Sequence, residues 1–253
     1  MKDNSVYKSI LDEAFIQLRK SAEERYKLFS EVLAKSKYEL IGVRLPIIRK
    51  IANLCMKKLR TEDDYIGFFN TFEQYILEVS DKLLFEELML YGIILASSNV
   101  KDDVKIKYFD VYVHYIGDWS ICDSVCTSLK IKSNGKFFGY IKSLINSREE
   151  FVLRFVIVTF MTHFMQEKYL NEIIELIEGI DVDYYYTNMA IAWWMSNLYI
   201  YNKDKFFEIF ERRNLNKFVL NMSIRKIIES NRVSKEDKEQ LKLLRKMKGS
   251  NHE

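Results

Sequence analysis

Residues 118–126 read DWSICDSVC, and the spacing of their apolar side chains is that of a helix. At 100° per residue, Ile121, Cys122, Val125, Cys126 and the following Leu129 fall on one stripe, while Trp119, Asp123, Thr127 and Lys130 gather opposite it. Core packing would put a large aromatic on the oily side. An indole and a carboxylate four residues apart on the wetter face mark that face for contact with something outside the core.

The same period continues along the chain in both directions. It predicts helices over about 4–19, 21–35, 46–59, 62–73, 81–97, 101–116, 119–130, 135–146, 148–165, 167–178, 183–200, 203–212, 216–230 and 234–247. Eight glycines and one proline are few against average usages of about 7% and about 5%, which disfavours turn-rich β architectures and glycine phosphate loops. The predicted class is all-α. Thr61 with Asp64, Ser147 with Glu150 and Ser234 with Asp237 have the cap-then-acid spacing that satisfies free amides in a first helical turn. Gly42, Gly117, Gly135 and Gly179 fall in gaps, and Pro46 stands where a first turn accepts proline. Helix pairs recurring every 35 to 40 residues or so suggest a HEAT-like α-solenoid, a curved superhelix of antiparallel pairs in which each pair buries its face against its neighbours. A compact helical bundle is the competing architecture. No linker or low-complexity segment divides the chain, so 1–253 is expected to be a single domain.

With 48% hydrophobic and 30% charged residues the chain can bury a substantial core. Cys55, Cys122 and Cys126 lack metal-site or disulfide-framework spacing and read as small core residues. No run of about 18 uncharged apolar residues occurs and the N-terminal stretch carries acids, so neither a membrane span nor a signal peptide is expected, and the expected compartment is the cytosol. Net charge is only +3, but residues 217–248 hold ten basic side chains (Lys217, Arg225, Lys226, Arg232, Lys235, Lys238, Lys242, Arg245, Lys246, Lys248) against four acids. That surplus permits a polyanion partner; a solvated amphipathic helix pair explains it too.

Two further stretches stand out. In REEFVLRFVIVTFMTHFM (148–165), Phe151–Met165 is apolar nearly all round apart from Arg154 and His163, so it predicts a buried central helix. A guanidinium cannot shed its charge there, so Arg154 needs either a structural partner on a neighbouring helix or a ligand phosphate. In DYYYTNMAIAWWMSNLYI (183–200), Trp193 and Trp194 point about 100° apart: Trp194 joins Ile191 and Leu198, whereas Trp193 shares a mixed face with Tyr186, Ala190 and Asn197. His114 and His163 have no metal-ligand or nucleophile context, and neither metal nor cofactor is called for.

Four segments in this order and spacing, GVRLPIIRK (42–50), DWSICDSVC (118–126), LRFVIVTFM (153–161) and YYTNMAIAWW (185–194), resemble the AlkD-like DNA alkylation repair proteins, over about residues 20–235. The resemblance implies HEAT-like repeats around a basic groove for duplex DNA, and a monofunctional glycosylase that releases cationic N3- or N7-alkylated purines without a cofactor. By the same resemblance Trp119 and Trp193 correspond to the indoles beside the deoxyribose, Asp123 to the catalytic carboxylate and Arg154 to the groove arginine. Tyr26 corresponds to an N-terminal groove tyrosine, and Arg44, Lys130, Lys217, Arg225 and Lys226 are the further cations expected to hold phosphates. The protein is expected to act as a monomer on double-stranded DNA, alkylated or not. The stretch ERYKLFSEVLAKSKYE (24–39) departs from the well-understood glycosylases, and some relatives of this kind keep the fold without the activity. A non-catalytic DNA-binding protein and a protein-interaction solenoid are therefore the alternatives.

Overall fold

The computed structural model describes residues 4–249, and they are all helical apart from short joints: no strand is formed among them. The side chains of Arg245, Lys246 and Lys248 lie outside the described residues. Fourteen α-helices follow one another: α1 Asn4–Lys20, α2 Glu24–Ala34, α3 Leu45–Lys58, α4 Glu62–Val79, α5 Phe85–Ser97, α6 Asp102–Tyr112, α7 Trp119–Ser128, α8 Asn134–Ser143, α9 Glu150–His163, α10 Glu167–Glu178, α11 Tyr185–Tyr201, α12 Lys203–Arg212, α13 Lys217–Glu229 and α14 Lys235–Gly249. The chain divides into two compact units, Met1–Tyr140 and Ile141–Glu253.

In the first unit every second helix is a neighbour: α1 packs on α3, α3 on α5 and α5 on α7. The helix α5 is buried over its whole circumference, from Phe85 to Ala96. Aromatic rings fill the space beside it, with Phe72 stacked on Tyr91 at 4.3 Å and Phe69 tilted against Tyr108 at 4.9 Å. Two buried charges on or near α5 are satisfied by backbone. The Glu86 carboxylate accepts the amides of Ile41, Gly42 and Val43, which fixes the GVR segment, while burial still pushes its pKa up. The Lys105 ammonium donates to the carbonyls of Ala96, Ser98 and Lys130, tying the C-terminal ends of α5 and α7 together. Cations suit that position because the last carbonyls of a helix have no intrahelical donor. In the second unit the same alternation holds, α9 on α11 and α11 on α13, with Val152–Phe160 of α9 buried on all sides.

Several boundaries differ from the periodicity. Thr61 and Asp64 do form the reciprocal capping box of α4, and Ser234 accepts the Asp237 amide. Ser147 instead accepts the amide of Glu149, two residues on, so the helix expected from 148 begins at Glu150. Helix α4 runs to Val79 rather than 73, because Tyr75 is held by Phe15 at 4.8 Å and by the Glu87 carboxylate at 2.8 Å. Gly135 lies inside α8, not in a gap. Cys55, Cys122 and Cys126 are buried, as core residues would be. Among the described residues no helix is long and apolar enough to cross a membrane.

Candidate functional site

Helix α7 is positioned by the residue before it. Asp118 is fully buried, and its Oδ1 accepts the Ser120 amide at 2.8 Å, the Ser120 hydroxyl at 2.8 Å and the Ile121 amide at 3.0 Å. These bonds cap the first turn, and burial raises the carboxyl pKa against their opposing effect. With the turn fixed, Ile121, Cys122, Val125 and Cys126 enter the core completely, and the opposite face carries Trp119 and Asp123, both half-buried. This is the division that the spacing of DWSICDSVC predicts.

Trp119 and Asp123 line one cleft of about 250 Å³ in the first unit. Its other walls come from α2 (Tyr26, Phe29, Leu33) and α5 (Phe85, Met89), so a carboxylate stands in a mainly apolar recess. The indole N–H of Trp119 donates to the carbonyl of Leu33 at 3.2 Å, 86 residues away in sequence. That bond joins the indole of α7 to the end of α2. At the other end of α2, Arg44 lies 4.6 Å over the Tyr26 ring. The Arg44 fork also donates to the Glu23 carboxylate, Nε to Oε1 at 3.0 Å and Nη2 to Oε2 at 3.0 Å. The guanidinium holds the Glu23 carboxyl below its usual range, first through the side-chain hydrogen bond.

Of the sequence-selected residues in this unit, Tyr26, Trp119 and Asp123 come together at the cleft, with Arg44 against Tyr26. Lys130 lies past the end of α7, exposed and away from the cleft walls; its carbonyl, not its ammonium, is in use, accepting from Lys105.

In the second unit Arg154 is buried, and its Nη1 donates to the carbonyl of Tyr186 at 3.0 Å, which satisfies part of the guanidinium with backbone of α11. The Tyr186 amide in turn donates to Glu150 Oε1 at 2.6 Å. The two neighbouring tryptophans separate as expected: Trp194 is fully buried and Trp193 is half-buried. Asn197, one turn along the Trp193 face, donates from Nδ2 to the Trp193 carbonyl at 3.0 Å. Lys217 begins α13 and is exposed, Lys226 is half-buried, and Arg225 spends its Nε on Glu229 at 2.8 Å within the same helix. Lys242 is matched to Glu239 in the same way, whereas Asp237 is taken by Lys203 of α12. The acids of this stretch are thus largely engaged, and its net basic surplus is not reduced by these pairs.

Three contributors were not singled out from sequence. Asp118 had a legible signal, an acid immediately before a helical stripe. Glu23 and Leu33 had none of comparable strength, because a distant ion pair and a backbone carbonyl leave no spacing pattern. Asn197 was placed on the Trp193 face by its spacing, but its hydrogen bonds were not legible.

No curated protein matches the chain. A family model described as DNA alkylation repair enzyme matches residues 16–227, so the chain belongs to the DNA alkylation repair enzyme family, which gives it a role in DNA repair.

Proposed function

We propose that the protein is a DNA glycosylase that hydrolyses the N-glycosidic bond of cationic N3- or N7-alkylated purines in duplex DNA. The observation that carries the reading is the pairing of Trp119 with Asp123 in one apolar cleft, in a chain of a DNA alkylation repair family. An alkylated purine is already a positively charged leaving group, so departure needs little acid catalysis. What it needs is stabilisation of the oxocarbenium-like sugar. A carboxylate supplies that more strongly in a recess of low polarity than in water, and the negative face of the Trp119 indole adds to it. Asp123 also orients the attacking water. Trp119 is preset for this work, since its N–H is already engaged by Leu33 and its ring plane is thereby fixed.

The remaining assignments follow the same reading. Arg154, Tyr26, Arg44, Lys130, Lys217, Arg225 and Lys226 hold the duplex, and the protein works as a cytosolic monomer without a cofactor. Residues 1–253 act as one HEAT-like domain, a reading supported by the packing of every second helix inside each unit. The test is release of 7-methylguanine from methylated duplex by wild type and Asp123→Asn. The expected loss is roughly 100-fold or more, the scale for removing one transition-state contact. Equal, background-level release by both ends the catalytic reading.

The second reading, a DNA-binding protein that excises nothing, is favoured by one observation. Arg44, expected to meet phosphate, is matched to Glu23 instead, in the stretch that departs from the known glycosylases. It predicts duplex affinity that falls steeply with salt and no base release.

A further inference from the structure

We propose that Arg232 is a preset phosphodiester-binding residue beside Trp193, held in position by Asn197; the inference rests on the duplex-binding reading above. Arg232 lies in the turn between α13 and α14, exposed, and its Nη2 donates to Asn197 Oδ1 at 2.6 Å. Asn197 cannot turn its amide round without loss. Its Nδ2 donates to the Trp193 carbonyl at 3.0 Å and approaches Met161 Sδ at 3.2 Å, so the oxygen is left facing the guanidinium. Trp193 and Asn197 are one turn apart on α11, hence on the same face. A cation in the C-terminal turn is thus fixed against the face that presents the indole.

The partner sets this arginine apart from five others. Arg19 meets Glu87, Arg44 meets Glu23, Arg148 meets Asp181, Arg212 meets Glu178 and Arg225 meets Glu229, each within 3.3 Å, so each charge is matched by a carboxylate. Arg232 is oriented by a neutral amide, which fixes the fork and leaves the charge uncancelled. One of its five N–H donors is used and the others remain for an acceptor. The ligand that matches an oriented, uncancelled fork is an oxyanion with several acceptor oxygens, and next to an indole assigned to a deoxyribose that oxyanion is the backbone phosphate of a flanking nucleotide. Because the Asn197 bond already restricts the fork, less ordering entropy is lost on binding.

The full-length protein is titrated into a duplex of about 20 base pairs carrying one 7-methylguanine, at several salt concentrations, as wild type, Arg232→Gln and Arg232→Lys. Arg232→Gln is expected to weaken binding roughly 3- to 10-fold and to lower the slope of log K against log salt by about one, with thermal stability unchanged. Arg232→Lys keeps the slope and falls between, since the charge remains and the fork is lost. The proposal is overturned if wild type binds the duplex and Arg232→Gln binds with the same affinity and slope. It is equally overturned if Arg232→Gln loses stability and affinity at an unchanged slope, which would make the contact a strap between turn and helix. Failure of the wild type itself to bind any duplex is a separate result, visible without a variant, and removes the duplex-binding reading.

Discussion

Helices α2 and α9 both carry residues picked out for the site, Tyr26 and Arg154, yet they are held in opposite ways. Nine of the fourteen residues of α9 are buried, and its place follows from the apolar surface it covers. Helix α2 buries one residue, Ala34, and leaves Leu28, Phe29, Val32 and Leu33 at 58%, 59%, 75% and 50% exposure. Its position comes from fixtures at its two ends. At the N-terminal end the Glu23 amide donates to Gly42 and the Glu23 carboxylate meets Arg44; at the C-terminal end the Leu33 carbonyl accepts from Trp119. Burial stabilises α9 through many weak contacts, whereas α2 depends on a few polar ones. The wall of the cleft nearest Trp119 therefore rests on fewer buried contacts than α9 does.

The contrast can be broken by substitution. Phe155 is completely buried in α9, and Phe155→Ala is expected to cost about 4 kcal/mol in chemical denaturation, from lost transfer free energy and the cavity left behind. A cost under about 1 kcal/mol would mean that α9 is not a core helix. Gly42 has a φ of +84°, and an added Cβ would stand 2.4 Å from the Glu23 carbonyl and 2.7 Å from the Lys27 amide. Gly42→Ala should cost about 2 kcal/mol and raise amide exchange across residues 24–34 while α9 stays protected, since both the left-handed backbone and the close approach are lost. Unchanged exchange in α2 would show that its ends do not hold it. Val32→Ser, on the outer face of α2, should change stability by no more than about 0.5 kcal/mol. A loss above about 1.5 kcal/mol would show that this face is covered in solution.

Legibility followed the range of the interaction. The two-sided character of α7 could be read from DWSICDSVC because residues three and four apart share a face whatever the rest of the chain does. For the same reason the opposite fates of Trp193 and Trp194 were readable from one helix. The extension of α4 to Val79 was not, since Tyr75 is held by Phe15 and Glu87 from other helices. Nor was the start of α9, where the Ser147 hydroxyl had a choice of amides and took the nearer one.

By itself the sequence determined that the chain is helical, which helix faces are apolar, and that Trp119 and Asp123 stand together outside the core; each follows from local geometry and from transferring apolar side chains out of water. Tertiary structure alone decided that Tyr26 and Leu33 join them at a cleft, that Arg44 is matched to Glu23, and that Asn197 orients Arg232. Those outcomes depend on donors and acceptors 21 to 86 residues apart meeting within about 3 Å, and hydrogen bonds of that reach are selected by packing, not by spacing along the chain.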